Sequence, residues 1–580
     1  MLDRLFAKAW GEATAFLDRR PRIKLVDLFI LAGIAGLVFA LRGVAREWTG
    51  VLRPEVVIDL SPRALPKYTL FSLTRGLAAY ALSLGFTLVY GYWAARDKLA
   101  ERVLIPLLDV LQSIPILGFM PGLVLTLVGL FPTSNVGLEL AAVIMMFTGQ
   151  VWNMTFSFYY SLRSIPQDLR EVATVYRYDW WERFRWMELP FSTLGLVWNS
   201  MMSMAGGWFF LMINEAFVLG KRDFRLPGIG SYMSVAVARG DKAAMAWAFL
   251  AMVVMIVTLD QFLWRPVVAW AQKFRVEEGG EVEANTSWFL DWLRRSRLAR
   301  WVRWKFEHMV PRRRPAPPEP EPETGAPRRP VDSALLSRIV FGVLVLVLLV
   351  GLWQLVDLLR HVKLASWGAS LGLAFITLGR VIVSTVLGTL WTLPVGLAIG
   401  LTPSLSRRLQ PVVQVAASFP APMLFPIVIA ALAYAGVPLG WGSILLMLLG
   451  TQWYVLFNVI AGAMAVPADL KEAARSYRIT GWARLTKVLI PAVFPYLVTG
   501  WVTAAGGAWN ASIVSEYVTF KGRVMTAPGI GSQISLAAER GDLPGLAASV
   551  LIMSTLVVLF NRNVWRRLYH LAETRYALNR

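Results

Sequence analysis

The residues best suited to a chemical role occur in two segments of related sequence, SIPQDLREVATVYRYDWWERFRWMELP at 164–190 and AVPADLKEAARSYRITGWARLTKVLIP at 465–491. Each begins near a proline that suits the first turn of a helix, and two acids follow near the positive helix end. Apolar residues then recur at i, i+3, i+4 and i+7, which predicts a short amphipathic helix. Such a helix can rest on its own domain or on lipid, or it can fit a groove on a partner. The pattern therefore indicates recognition rather than catalysis and leaves the partner open.

We single out the following residues of these two segments: Asp168, Leu169, Glu171, Val172, Ala173, Tyr176, Arg177, Pro190, Asp469, Leu470, Glu472, Ala473, Ala474, Tyr477, Arg478, Gly481 and Pro491.

A second set of candidates lies in long apolar stretches. Glu215 and Glu516 are acids of the kind that usually serve function inside a membrane, although pairing with a neighbouring arginine explains them equally well. Arg75 and Arg380 could attract an anion, but we favour snorkelling of their side chains to the headgroup boundary. Prolines and glycines can interrupt helices that line a transport site. The remaining candidates for a pathway are Pro115, Gly206, Trp208, Asn214, Pro420, Gly507, Trp509 and Asn510.

The composition indicates which elements must hold these residues. Of 580 residues, 56% are hydrophobic and 16% are charged, whereas soluble proteins have about 45–50% and about 25%. This excludes a disordered chain and indicates a polytopic membrane protein. There is no cysteine, which excludes disulfides, thiolate metal sites and a catalytic thiol, and three histidines argue against a histidine zinc site. We expect no bound metal or cofactor in this chain.

Apolar segments long enough to cross a bilayer need about 20 residues each. We predict twelve spans, which form an all-α membrane fold made of two parallel six-helix repeats. They lie near 25–42, 71–95, 103–131, 137–160, 191–219, 243–264, 338–358, 371–402, 411–435, 441–461, 492–518 and 545–561.

The net charge is +21, and the positions of the basic residues predict how the chain is oriented in the membrane. Basic residues cluster at both termini and in the central stretch, and the positive-inside rule places all three in the cytoplasm. Within that stretch, residues 288–306 mix tryptophans with basic residues, which favours an interfacial helix. Residues 311–330 are rich in proline and charge and predict a disordered linker. We therefore divide the chain into 1–270 (core 65–270), a linker at 271–335, and 336–580 (core 370–575).

The two halves are copies of one another. Pro227-Gly228-Ile229-Gly230 recurs 301 residues later at 528–531, and Glu215 recurs as Glu516 at the same offset. Upstream, Arg75 and Arg380 are 305 residues apart, as are Pro115 and Pro420. With six spans each, the copies have the same orientation and are related by a pseudo-two-fold axis along the membrane normal.

The doubled segments resemble the EAA loop of the integral membrane subunits of ATP-binding cassette importers. Glu472-Ala473-Ala474 and the ending Val488 to Pro491 match that pattern, and Glu171 to Ala173 with Met187 to Pro190 match nearly as well. Arg177 and Arg478 occupy the position of the family's glycine. The EAA-like segments and the proline-rich third spans together make the chain resemble the nitrate/sulfonate/taurine/bicarbonate permease branch.

The resemblance implies a fused pair of permeases in a bacterial inner membrane, with both termini cytoplasmic. Each EAA helix would dock on an ATPase subunit, so two such subunits are implied, with ATP-Mg bound on them, together with an external solute-binding protein. The chain has no Gly-x-x-x-x-Gly-Lys-Ser/Thr loop to cradle ATP phosphates. The solute would be a small anion or organic acid, by analogy.

Two other functions remain open at this stage. A secondary transporter with two parallel repeats would use ionisable relays such as Asp109 and Glu139 deep in the spans. A membrane scaffold or receptor would leave the doubled loop without a role. Export by the same class of machine is a further alternative, since the sequence shows no binding protein.

Overall fold

The protein folds almost entirely as helices. The computed structural model describes residues 25–50, 56–219, 222–274, 287–296, 331–520 and 523–576. Within these residues the only strands belong to two short hairpins. The predicted all-α membrane class is therefore confirmed. The predicted domain boundaries stay predictions.

The first half contains ten helices and one hairpin among the described residues. Their bounds are α1 Leu25–Trp48, α2 Pro62–Arg96, α3 Lys98–Ser113, α4 Ile116–Leu130, α5 Val136–Arg163, α6 Gln167–Val175, α7 Trp180–Glu215, β1 Val218–Leu219, β2 Arg222–Asp223, α8 Ile229–Arg239, α9 Lys242–Phe274 and α10 Trp288–Arg294.

The second half repeats this order. Its bounds are α11 Val331–Leu359, α12 Leu364–Leu401, α13 Pro403–Ser418, α14 Phe425–Tyr434, α15 Leu439–Ala465, α16 Ala468–Ser476, α17 Gly481–Ser515, β3 Tyr517–Phe520, β4 Arg523–Thr526, α18 Ile530–Arg540 and α19 Leu543–Ala572. The hairpin strands pair antiparallel, with Tyr517 opposite Thr526 and Val218 opposite Asp223.

Eight helices among the described residues are long and apolar enough to cross a membrane, and a ninth is counted if α3 and α4 form one span. The eight are α2, α5, α7 and α9 with their second-half counterparts α12, α15, α17 and α19. They coincide with eight of the twelve predicted spans. Helices α1 and α11 occupy the predicted first spans of the two halves but are not among the eight, so their crossing stays a prediction.

The third span of each half, predicted near 103–131 and 411–435, is broken at the proline that the sequence analysis names as a possible interruption. Helices α3 and α4 meet at an angle of 97°. Pro115 and Pro420 have extended backbones with ψ near 116°. The residue before a proline is pushed out of the helical region, and proline has no N–H for the ladder. Each break therefore follows from its proline.

The halves pack through equivalent elements of opposite copies. A Cβ placed on Gly118 of α4 would lie 2.7 Å from Val550 on α19. In the other direction, Phe249 on α9 contacts Phe419, with ring centroids 4.5 Å apart. Val550 and Phe249 are 301 residues apart, the offset of the repeat. The sixth span of each half thus packs against the broken third span of the other, as the predicted two-fold relation requires.

The described part of the central stretch packs onto the first half. The Trp288 indole donates to Gln261 over 3.1 Å, and the Ser296 hydroxyl donates to buried Asp27 over 2.6 Å. Helix α10 is therefore held between α1 and α9. The remainder of the predicted interfacial helix and all of the predicted linker at 311–330 lie outside the described residues, so both stay predictions.

Candidate functional site

A cavity of about 210 Å³ lies between the two halves. Both helix breaks, the fourth and fifth spans of each half and part of α19 form its wall. No carboxylate, ammonium, guanidinium or imidazole group occurs among the described residues that line it. The polar groups of the wall are amides, hydroxyls and indoles: Gln112, Trp152, Asn153, Gln414, Thr451, Trp453, Tyr454, Thr503, Trp509, Asn510 and Asn561. A solute in this cavity would contact neutral hydrogen-bonding groups and aromatic faces.

The pathway candidates from the sequence divide into two groups. Those that line the cavity are Pro115, Gly206, Pro420, Gly507, Trp509 and Asn510. Those that do not line it are Arg75, Trp208, Asn214, Glu215, Arg380 and Glu516. The first group lies on the faces of helices that meet across the halves, and the second lies on faces turned into each half.

The break before α4 is joined to the opposite half by a polar contact. The Ile116 backbone N–H, in the first turn of α4, donates to Asn510 Oδ1 on α17 over 2.7 Å. Such N–H groups have no acceptor within their own helix. The position equivalent to Asn510 is Phe209 on α7, which packs in the apolar cluster around Ala421 at the other break. One break is thus held by a hydrogen bond and the other by apolar packing.

Glycines keep the helices close at the cavity wall. A Cβ on Gly206 would lie 3.1 Å from the Tyr454 hydroxyl, and one on Gly507 would lie 3.2 Å from Thr451 Cγ2. Glycine at these positions leaves room for Tyr454. Larger residues there would press on the cavity wall.

Sequence reasoning missed several of the lining residues. Trp152 and Trp453 are 301 residues apart and both line the cavity, so the repeat offset could have identified them. The Trp152 indole N–H is buried and has no acceptor among the described residues. Asn153 and Tyr454 are also related by this offset but differ in type, so comparison of the two copies gave no such signal.

Trp208 is a buried packing residue that does not line this cavity, so of the two roles open to it, pathway wall or packing, the structure favours packing. Only 2% of Trp208 is exposed. Its ring lies where a side chain on Gly76 of α2 would otherwise sit. The glycine of α2 therefore makes the space that this indole fills.

Arg75 is fully buried, which corrects the expectation that it snorkels to a headgroup. Its Nε and Nη2 atoms donate to the two carboxylate oxygens of Glu139 over 2.5 and 2.6 Å. Its Nη1 atom donates to Glu215 and to the Pro227 carbonyl over 2.7 and 2.8 Å. A buried charge is tolerated only when it is paired and hydrogen-bonded in this way. Arg75 thus joins α2, α5, α7 and the loop before α8.

The Pro-Gly-Ile-Gly motif surrounds the carboxylate of Glu215. Ser72 donates to Glu215 Oε1 over 2.7 Å, and the Gly230 N–H donates to Oε2 over 2.7 Å. A Cβ on Gly228 would overlap this carboxylate. The motif therefore recurs because its glycine lets the chain close over a buried acid.

Arg380 and Glu516 repeat part of this arrangement in the second half. Arg380 Nη1 donates to Glu516 and to the Pro528 carbonyl over 2.8 and 2.7 Å. Thr377 occupies the position equivalent to Ser72, and its hydroxyl donates to Glu516 over 2.8 Å. The Arg380 side chain is 10% exposed, so it too is paired inside the protein rather than snorkelling freely. Ser72 and Thr377, 305 residues apart, were missed although the offset could have identified them.

The two amphipathic helices form as predicted, as α6 and α16, each beginning directly after a proline. Ala173 and Ala474 are buried against the protein. Tyr176 and Tyr477, by contrast, are 68% and 80% exposed. Each helix therefore buries a small part of its apolar face and leaves the rest uncovered.

Arg177 and Arg478 have the left-handed backbone that favours glycine, with φ of 50° and 53°. They are the only non-glycine residues with positive φ in the described ranges. After α6, the Tyr178 N–H donates to the Ala173 carbonyl over 2.9 Å and the Arg177 N–H to the Thr174 carbonyl over 3.0 Å. These two bonds make a Schellman turn. The turn of the predicted motif is therefore kept despite the arginine.

A further contact anchors the elbow between α6 and the membrane part of α7. Glu188 is buried and forms ion pairs with Arg96 at the end of α2 and with Arg183. Pro190 and Pro491 lie two residues after the end of a π-helical turn, Phe184–Glu188 in one copy and Leu485–Leu489 in the other. The ion pairs of Glu188 join the start of α7, which follows α6 in the chain, to the end of α2.

Comparison with known families gives two matches in this chain. The family model of the binding-protein-dependent transport system inner membrane component matches residues 87–263 and again residues 392–568. The chain belongs to this family. The two matches confirm the internal repeat and the resemblance stated from the EAA loops.

The permease is similar to single-domain relatives of one branch. It is 27% identical over 197 residues to a nitrate import permease protein of Synechococcus elongatus, covering 32% of this chain and 69% of that protein. It is 27% identical over 188 residues to a bicarbonate transport system permease protein of Synechocystis, covering 32% of this chain and 64% of that protein. A putative permease of Methanocaldococcus jannaschii is 25% identical over 211 residues, or 75% of its length. Each alignment covers about one third of this permease, as expected where a relative matches one of its two repeats.

Proposed function

We propose that this chain is the fused transmembrane subunit of an ATP-binding cassette importer, which forms the pathway for a small anion or organic acid. The family membership supports the class of machine. The choice of an anion rests on the nitrate and bicarbonate relatives. The cavity between the halves, with Trp152 as an indole donor without an acceptor among the described residues, is the proposed passage. Neutral donors bind an anion weakly enough for it to leave again.

The single observation that carries the proposal is the pair of exposed amphipathic helices, α6 and α16. Each presents acids in its first turn and a largely exposed tyrosine after its last. An apolar face that the chain leaves uncovered is a feature of a helix that lies in a partner's groove. Two such helices on one chain fit two ATPase subunits, which would bind ATP-Mg. The termini would be cytoplasmic and a solute-binding protein would deliver the solute from outside.

The alternative of a gradient-driven secondary transporter has less support. Glu139, one of its candidate relays, is held by two hydrogen bonds to buried Arg75. Asp109 receives a hydrogen bond from Gln112 over 2.8 Å and lies on an exposed part of α3. Neither acid therefore lies where a proton relay through the membrane would need it. A secondary transporter would also give α6 and α16 no role.

The test is the stoichiometry of the complex isolated from its native host by detergent extraction and native mass spectrometry. We expect two ATPase subunits per wild-type chain. Reversing one acid, by Glu171→Lys or Glu472→Lys, should leave one ATPase subunit, and the double variant should leave none, because like charges then meet at each groove.

The matched control is Asp357→Lys, a charge reversal at an exposed acid near the end of α11. It should leave both ATPase subunits in place. A wild-type chain that purifies without any ATPase, or a double variant that keeps both subunits, would contradict the proposed docking.

A further inference from the structure

We propose that Arg380 is the centre of a binding site for a small planar oxyanion or carboxylate. The site lies at the end of the second half opposite α16. The inference rests on the proposed function in one respect only, namely that the bound ion is the solute on its way into the importer. The binding itself is a separate property of this chain.

The first half shows what a saturated site looks like. A guanidinium group has two edges that can donate in parallel to a planar acceptor. In Arg75 the Nε and Nη2 edge is filled by both oxygens of Glu139, and Nη1 is filled by Glu215 and the Pro227 carbonyl. Every nitrogen of this arginine has an acceptor.

The second half fills only one side of the equivalent group. Arg380 Nη1 donates to Glu516 and to the Pro528 carbonyl, as in Arg75. In the part of the chain that the structure describes, Arg380 makes no other hydrogen bond or ion pair. The edge that binds Glu139 in one half is therefore open in the other.

The missing carboxylate is explained by a glycine. Gly440 on α15 is 301 residues after Glu139, and a Cβ on it would lie 3.5 Å from Arg380 Nη2. Glycine thus leaves empty the space through which the Glu139 side chain reaches Arg75. The contact with Arg380 thus identifies Gly440 as the structural counterpart of Glu139.

Most of the Arg380 side chain is buried, but its open Nε–Nη2 edge is not fully enclosed, so an ion can reach this edge from outside. The exposed fraction of the Arg380 side chain is 10%, against 0% for Arg75. A planar anion that enters the space above Gly440 would supply the two acceptors that Glu139 supplies in the first half.

The position of the site fits entry of the ion. Gly440 lies in the first turn of α15, whereas α16 follows the end of that helix. The 27 residues of α15 separate the two ends by about 40 Å at 1.5 Å per residue. The oxyanion site and the proposed ATPase dock therefore lie on opposite sides of the bilayer.

The test uses the full-length chain purified in detergent and measures the midpoint of thermal unfolding during titration with sodium nitrate, bicarbonate or acetate. Sodium chloride at equal ionic strength is the reference. We expect a saturable rise in the midpoint with the planar anions and a smaller one with chloride. Gly440→Glu should weaken the response at least ten-fold, because the new carboxylate occupies the open edge.

Gly440→Ala is the matched control, since its methyl group would make an ordinary contact at 3.5 Å and should keep the response. Arg380→Lys is a second variant in case Gly440→Glu does not fold. It keeps a cation beside Glu516 but removes the planar donor edge, so it should also lose the response. An unchanged response in a folded Gly440→Glu or Arg380→Lys chain would overturn the proposal.

Two further outcomes would also overturn it. One is a wild-type chain that shows no saturable response to the planar anions. The other is stabilisation by phosphatidylglycerol alone, which would identify a lipid headgroup as the occupant. Because the titration contains no ATPase, failure here would leave ATPase docking on α6 and α16 to be judged by its own experiment.

Discussion

Single residues show where this permease departs from its family and how the fold absorbs the departure. Arg177 and Arg478 stand where the EAA pattern has glycine, and both keep the left-handed backbone of that glycine. A non-glycine residue in this region costs roughly 1–2 kcal/mol. The cost recurs in both copies, so the turns after α6 and α16 are retained against a local preference.

The strain at Arg478 predicts the effect of its replacement. Arg478→Val should lower the free energy of unfolding by about 1–2 kcal/mol relative to Arg478→Gly, because a β-branched residue fits the left-handed region worst. Thermal unfolding of the purified chain checks this difference. Arg475→Val, on the helical part of α16, is the control and should cost only a few tenths of a kcal/mol. Equal midpoints for Arg478→Val and Arg478→Gly would show that the turn carries no strain.

Equivalent elements of the two halves differ in their contacts at the places where the halves meet. The same helix break occurs twice, yet one is held by the Asn510 side chain and the other packs against Phe209. A hydrogen bond and an apolar contact respond differently to water, since only the former has a polar group to satisfy when it opens. The pathway is therefore built from a symmetric frame with unlike contacts at its two breaks.

The hydrogen bond at the first break can be removed selectively. Asn510→Leu should leave the Ile116 N–H without its acceptor and lower the free energy of unfolding by about 1 kcal/mol. Hydrogen exchange should speed up in the peptide that contains residues 114–120. Asn153→Leu removes another amide from the same cavity wall and should leave exchange at this break unchanged. If both variants exchange alike, the bond from Ile116 to Asn510 does not hold the break.

The whole molecule is one packed unit despite its tandem origin. A single apolar cluster contains residues of both halves, among them Met204, Trp208, Met447 and Trp509. The equivalent contacts of Gly118 with Val550 and of Phe249 with Phe419 join the third and sixth spans across the halves. We therefore predict that the linker at 311–330, the tether between the halves, is not needed to hold the two halves together.

Cleavage of the tether tests this statement. A protease site placed within residues 311–330 should be cut in the purified chain without separating the halves, as judged by native mass spectrometry. Gly118→Leu should weaken the association, because overpacking against Val550 costs about 1–3 kcal/mol. Gly122→Leu, one turn later on α4 with open space around it, should have no such effect. Halves that separate on cleavage alone would show that the tether is required.

Much of the architecture was readable in the sequence because hydropathy and periodicity are local properties of the chain. The eight longest apolar segments, α6 and α16, and the two-fold repeat could all be predicted. The sequence also indicated Pro115 and Pro420 as possible interruptions of helices, because a proline acts on its immediate neighbours. Terminal orientation and the two ATPase docks stay predictions.

Tertiary structure decided which helix faces meet, and these contacts determine which partners the buried polar residues have. Arg75 was expected at a headgroup, but the approach of α5 and α7 supplies Glu139 and Glu215 as partners. The same approach in the second half brings Gly440 to Arg380 and leaves an edge of the guanidinium open. A charge in a low-dielectric interior is governed by the groups within a few ångströms of it. Those groups come from distant parts of the chain, so only the folded arrangement distinguishes a structural arginine from a binding site.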